Sequence, residues 1–203
     1  MCTLAAPARF LAGRRLDLQW DFVSLNPRYT HTAIAFHWLI AVALGGAVIF
    51  GFYVHGLHMS PSRIRMVNWH KWVGVTLFLL VLLRLLWRIT HRAPPLPSTM
   101  HPLVRLGANL SHIGLYVLML AIPVSGWLMS SAKGFRTVWF GLVPLPNLVG
   151  RDAQLGIQLL ELHETLNWLL IALVALHSAA ALKHHFIDRD DVLVRMLPAH
   201  TEQ

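Results

Sequence analysis

Cysteine is almost missing from this chain: Cys2 is its only one in 203 residues. An internal disulfide is therefore excluded, and so is an iron–sulfur cluster, which needs several thiolates. No Cys-x-x-Cys-His motif occurs, which excludes a covalently attached haem. Charge is scarce as well. Asp, Glu, Lys and Arg together make 13% of the residues, about half of what a soluble domain carries. Acidic residues are the rarest part of that, 9 against 17 basic ones, and Arg far outnumbers Lys. The apolar runs lack the period-two alternation of a membrane barrel, so strands are not expected to span anything. Near the start, Arg9, Arg14 and Arg15 are positive, but the apolar run at 10–12 is far too short for the core of a signal peptide.

What the chain has instead is hydrophobicity. Apolar residues make up 56% of it, and mean hydropathy is +0.55. Four continuous apolar stretches stand out, at about 32–54, 67–87, 106–130 and 158–182. Each reaches the ~20 residues that cross hydrocarbon as a helix. The expected fold is an all-α membrane protein, a four-transmembrane-helix bundle. Four spans leave no room for a second domain in a chain of this length. The bundle should occupy residues 28–198, after an N-terminal extension at 1–27 that is expected to be disordered. Residues 199–203 form a C-terminal tail. Asn26-Pro27 breaks the chain before the first helix, and the APPLP string at 93–97 is a stiff connector. The formal net charge of +8 flanks the spans, where it meets anionic lipid headgroups, so nucleic acid is not an expected partner.

Loop charge sets an orientation. Arg9, Arg14, Arg15 and Arg28 precede the first span. Arg84, Arg88, Arg92 and Arg105 lie at or between the facing ends of spans two and three, and Lys183, Arg189 and Arg195 follow span four. The other two loops carry Arg63, Arg65 and Lys71, then Lys133, Arg136 and Arg151. The bias is modest and places both termini inside.

Thirteen histidines are the other excess. His163 and His177 share one apolar helix, fourteen residues apart. Fourteen residues is almost four helical turns, so both imidazoles point to nearly one face, roughly 21 Å apart along the axis. That is most of the hydrocarbon thickness. His37 lies near the inner end of span one, and His70 near the outer end of span two. Topology thus pairs His37 with His177 inside and His70 with His163 outside. Each pair is a candidate bis-imidazole haem iron site, since neutral imidazole is a standard axial ligand. A single span histidine reads as readily as a hydrogen bond inside the bundle. Two pairs at matching depths argue against that for the set. His31 and His91 sit at span ends, His55, His58 and His101 in loops, and His200 in the tail. His112, early in span three, reads as a ligand, a propionate partner or a bundle hydrogen bond, the last two preferred. His184 and His185 follow span four at the inner surface, where His184 is a candidate contact for a quinone or a propionate.

Gly45, Gly46, Gly74, Ser178, Ala179 and Ala180 leave space beside the helices, equally consistent with ordinary small-residue packing. Pro123 is expected to kink span three. Trp38, Trp69, Trp72, Trp87, Trp127, Trp139 and Trp168 crowd the span ends as an interfacial belt.

The strings IAFHWL around His37, WHKWVGV around His70, SHIGLYVLMLAIPVSGWLM in span three and LHETLNWLLIALVALHSAAALKHHF in span four resemble the bacterial cytochrome b561 family. The resemblance covers about residues 28–198. It implies a four-helix inner-membrane protein with two haems b, held at the positions of His37, His70, His163 and His177. It is nearest in look to the type that takes electrons from superoxide and passes them to ubiquinone. The extension before Arg28 is the main departure.

The expected function is electron relay across the bilayer by a multi-pass protein with both termini in the cytoplasm. Bis-histidine iron has no open position, which argues for outer-sphere transfer. Lys133, Arg136 and Arg151 would steer a small anionic donor such as superoxide. His184 and Lys183 would hold and protonate a quinone near the inner haem. No protein partner is required. The competing reading is a membrane-anchor cytochrome b subunit wiring a soluble dehydrogenase or hydrogenase to the quinone pool, which would predict larger docking loops. A non-redox transporter using intramembrane histidine is a third.

Overall fold

The computed structural model describes residues 28–91, 93–95 and 100–198. The extension at 1–27 and the tail at 199–203 lie outside the described residues. Four helices dominate: α1 His31–His55, α2 Pro61–Thr90, α3 Pro102–Ala132 and α4 Ala153–Lys183. All four are long and apolar enough to cross a membrane.

Three of them begin earlier than their apolar runs, for a local reason. Ser60, His101 and Asp152 each accept a hydrogen bond from a first-turn backbone N–H, and Pro61 and Pro102 open their helices. Capping side chains satisfy orphan N–H groups, and proline at the first position loses nothing by lacking one. The helix is therefore nucleated outside the hydrocarbon, and α2, at 30 residues, spans about 45 Å. Its ends reach the headgroup layers.

The helices pack as neighbours in sequence. α3 lies closest against α4, α1 against α2, and α2 against α3, while the α1 and α4 backbones scarcely approach. Ile40, Leu77, Val81, Met119, Ile122 and Leu170 form one buried cluster across all four helices. Leu170 stands seven residues from His163 and seven from His177, so this apolar layer separates the two ends of the bundle. Large side chains such as Val42, Ile49, Ile89 and Leu176 point outward. In water that surface would be a liability; in lipid it is the solvent-matched face.

The loop between α3 and α4 holds a hairpin of β1 Val138–Trp139 and β2 Val143–Pro144. Its turn places Phe140 at φ 50° and Gly141 at φ 73°, the two positive angles of a tight hairpin turn. Phe140 is unusual there, because a side chain with Cβ disfavours the left-handed region. Its ring packs on Trp72, 5.4 Å between centroids. Trp72 donates its indole N–H to the Val138 carbonyl at 2.6 Å, and Trp139 donates to Thr76 at 3.2 Å. The hairpin is thus pinned to α2 over one end of the bundle.

At the other end, α4 runs into a wider π-type turn, His184–Asp188. Arg189 ends it at φ 53°. The segment after it folds back. Trp38 donates to the Met196 carbonyl at 2.9 Å, and Arg195 to the Pro95 carbonyl at 2.7 Å.

Candidate functional site

Helical depth and the packing order bring the four span histidines together in two places. At the hairpin end, His70 of α2 faces His163 of α4 with 6.5 Å between ring centroids. At the opposite end, His37 of α1 faces His177 of α4 at 6.4 Å. His112 joins that second group, 5.4 Å from His177.

The hairpin-end pair borders a cavity of about 650 Å³, within the range of sites for cofactor-sized ligands. Its walls include Leu44, Ala47, Gly74 and Val75 and are mostly apolar. His163 is fixed by its surroundings. Its Nδ1 lies 3.1 Å from the Ile122 carbonyl and 2.9 Å from Ser125 Oγ, whose own hydroxyl donates to the same carbonyl at 2.8 Å. A carbonyl only accepts, so the proton sits on Nδ1 and the Nε2 lone pair is left for a metal. Orientation of a ligand imidazole through its second nitrogen is the usual arrangement at metal sites. His70 leaves Nδ1 buried with no partner among the described residues, a polar atom the protein alone does not satisfy.

Both rings lie over glycines. A Cβ on Gly51 would stand 3.1 Å from His70 Cε1, and one on Gly126 would stand 3.2 Å from His163 Cε1. Gly51 and Gly126 were not singled out in the sequence. Their signal, a small residue in an apolar helix, is the same as that of Gly45, Gly46 and Gly107, where an added Cβ meets nothing within 4 Å. A side chain larger than methyl at Gly51 or Gly126 must push an imidazole off its seat. Gly126→Val and Gly51→Val are therefore expected to weaken retention of any metal group held by these rings about tenfold or more while leaving helical content unchanged by circular dichroism. Gly107→Ala should do neither.

The mouth of this cavity is basic. Arg63, Lys71, Lys133 and Arg136 line it, and among the described residues lining it none is acidic. Arg151 stands beside that rim, its stem within 3.3 Å of where a Gly134 Cβ would lie. Of the three cations the sequence assigned to donor steering, Lys133 and Arg136 are thus at the cavity and Arg151 is next to it.

At the other end, Arg84 of α2 donates to His37 Nδ1 at 3.1 Å. The sequence reading counted Arg84 only for orientation. His184 sits partly buried in the π-type turn, with Nδ1 2.6 Å from Asp190 Oδ2 and 3.3 Å from Asp188 Oδ2. Carboxylates accept, so His184 donates a proton from Nδ1. Lys183 is bonded to Asp188 at 2.6 Å.

A profile of the family described as prokaryotic cytochrome b561 matches residues 28–199. "Cytochrome b561 homolog 2" of Escherichia coli (strain K12) is 37% identical over 186 residues, covering 87% of this chain and 95% of the relative. "Cytochrome b561 homolog 1" of the same organism is 29% identical over 181 residues, 84% of this chain and 97% of the relative. "Probable superoxide oxidase CybB" of Yersinia pestis is 25% identical over 178 residues, 86% of this chain and 98% of the relative. The chain belongs to the prokaryotic cytochrome b561 family: it is a multi-pass membrane electron-transfer protein, and membership implies b-type haem.

Proposed function

We propose that this chain binds two haems b, one between His37 and His177 and one between His70 and His163, and relays electrons from superoxide to ubiquinone. The observation that carries the reading is the spacing of the two pairs, 6.4 and 6.5 Å between ring centroids. A metal–imidazole nitrogen bond of about 2 Å on each side, with each nitrogen about 1.1 Å from its ring centre, requires roughly 6 Å. The apolar cavity beside His70, the orphaned His70 Nδ1 and the Nδ1-protonated His163 fit the same group.

Bound haem supplies one-electron chemistry; ligation, spacing and dielectric are set by the protein. His37 with His177 and His70 with His163 would hold the two groups, and an iron with two imidazoles would have no open position for dioxygen, which would leave outer-sphere transfer. Ile122, Ser125, Gly51 and Gly126 hold the outer imidazoles in place. Ile40, Leu77, Val81 and Leu170 keep water out of the layer between the two pairs. Lys133, Arg136 and Arg151 raise the local concentration of a small anion at the hairpin end. Each superoxide that gives up an electron leaves as dioxygen, and two such electrons with two protons convert a quinone to its quinol. His184, its Nδ1–H tied to Asp190, takes up a solvent proton at Nε2 and, as the imidazolium, donates that proton to a quinone oxygen at the opposite end. The similarity to a probable superoxide oxidase of Yersinia pestis supports the superoxide half of this reading.

Stopped-flow mixing of the purified protein with superoxide tests it. The haems should be reduced quickly, and added ubiquinone should reoxidise them. His184→Ala should leave reduction intact and slow reoxidation about tenfold. Failure of superoxide to reduce the haems, with reduction by a co-purifying soluble dehydrogenase, would establish the membrane-anchor reading instead.

Loop charge further supports an inner-membrane location with both termini in the cytoplasm. A C-terminal fusion to a protein that fluoresces only in the cytoplasm is expected to be bright, and a C-terminal fusion to a phosphatase active only in the periplasm to be silent. The reverse pattern would invert the depths of the two histidine pairs.

A further inference from the structure

Arg84 lies inside a membrane span, and among the described residues no carboxylate pairs with it. Its guanidinium stands 5.6 Å from the centre of the Tyr116 ring, and that of Arg88, one turn further along α2, stands 5.9 Å from the same centre. Two like charges on one aromatic ring, at the edge of lipid, call for an anion. Tyr116 has a second unmet need: its hydroxyl is buried with no hydrogen-bond partner among the described residues. All three residues line a small cavity of about 60 Å³, together with Arg28 and Thr30, and among the described residues lining it none is acidic. That volume is close to two water molecules, or one carboxylate group.

The contact between Arg84 and His37 makes the same point from the other side. Guanidinium only donates, so His37 accepts at Nδ1 and carries its proton on Nε2. Coordination of iron through Nε2 needs the opposite tautomer. Arg84 must then leave His37, and the cavity it already lines is the place open to it.

We propose that the cavity bounded by Arg28, Arg84, Arg88 and Tyr116 is a carboxylate-binding site that takes a propionate of the inner haem, with Arg84 moving from His37 to that carboxylate when the haem enters. The inference rests on the two-haem reading above. Arg84 and Arg88 form charge-assisted bonds to the carboxylate, Tyr116 donates its free hydroxyl to it, and His37 Nδ1 is released to carry the proton that ligation through Nε2 requires.

The test is spectral titration of the haem-free, full-length protein in zwitterionic detergent, with haem and with haem dimethyl ester, whose propionates carry no charge. Two equivalents of haem should bind. For one of them, haem should bind about tenfold or more tightly than its ester. Arg84→Gln with Arg88→Gln should abolish that preference at that equivalent alone, and Tyr116→Phe, which keeps the ring, should reduce it. Equal binding of haem and ester at both equivalents in the wild type overturns the proposal and leaves the two-haem reading standing. A loss of affinity in the arginine variant that is equal for haem and ester also overturns it, since Arg84 would then act on His37 alone. Uptake of fewer than two haems by the wild type overturns the two-haem reading and this inference with it. Adding phosphatidylglycerol should not change the preference; its loss would assign the cavity to a lipid headgroup and overturn the proposal.

Discussion

Replacing His70 with alanine is expected to lower the haem content of the purified protein from two per chain to one, with the remaining haem still in its low-spin b-type spectrum. The reason lies in the layering of the bundle. His70 and His163 stand at the hairpin end, and His37 and His177 at the other. The buried layer of Ile40, Leu77, Val81, Met119, Ile122 and Leu170 stands between them. A substitution in one layer would remove one proposed haem ligand without touching the other pair. Haem quantitation against protein concentration reads the result directly. Retention of both haems would sink the pairing of His70 with His163, and loss of both would show that the two sites fold as one unit.

Neutralising Lys133, Arg136 and Arg151 together, each to Gln, is expected to slow reduction by superoxide about tenfold at low salt, with the haem spectrum unchanged. Lys133 and Arg136 line the His70–His163 cavity, as do Arg63 and Lys71, and among the described residues lining it none is acidic. A cleft with walls of low dielectric and charge of one sign focuses field on a small anion. The effect is long-ranged and screenable, so wild type and variant rates should converge as salt approaches about 1 M, where the screening length falls to about 3 Å. A variant equally slow at all ionic strengths would place these residues in some role other than steering. An unaffected rate at low salt would move donor entry elsewhere.

The architecture was legible because the membrane writes it in long continuous runs. Four apolar stretches and a few capping residues are enough to fix four helices, and helical rise fixes the depths of His37, His70, His163 and His177. The orientation of side chains toward one another was less legible. Gly51 and Gly126 underlie imidazole rings, but in the sequence they match Gly45 and Gly107, which underlie nothing. Only the neighbouring helix distinguishes them. Arg84 was read as loop charge because it sits near a span end. Its contact with His37 crosses from α2 to α1 over 47 residues of sequence, a separation that carries no local signal. The hairpin at Val138–Trp139 and Val143–Pro144 was missed because its turn is Phe140-Gly141. The usual sign of such a turn is Asn-Gly or Asp-Gly. Tertiary docking of Phe140 on Trp72 holds a conformation that local preference disfavours.

The measurement closest to the centre of the account is a spectroelectrochemical titration of the purified full-length protein, with haem and protein quantified in the same sample. Two haems b per chain and two one-electron transitions are the predicted result, both reached in a protein without any partner subunit. A single transition with one haem per chain would contradict it, because one of the two histidine pairs would then hold no iron.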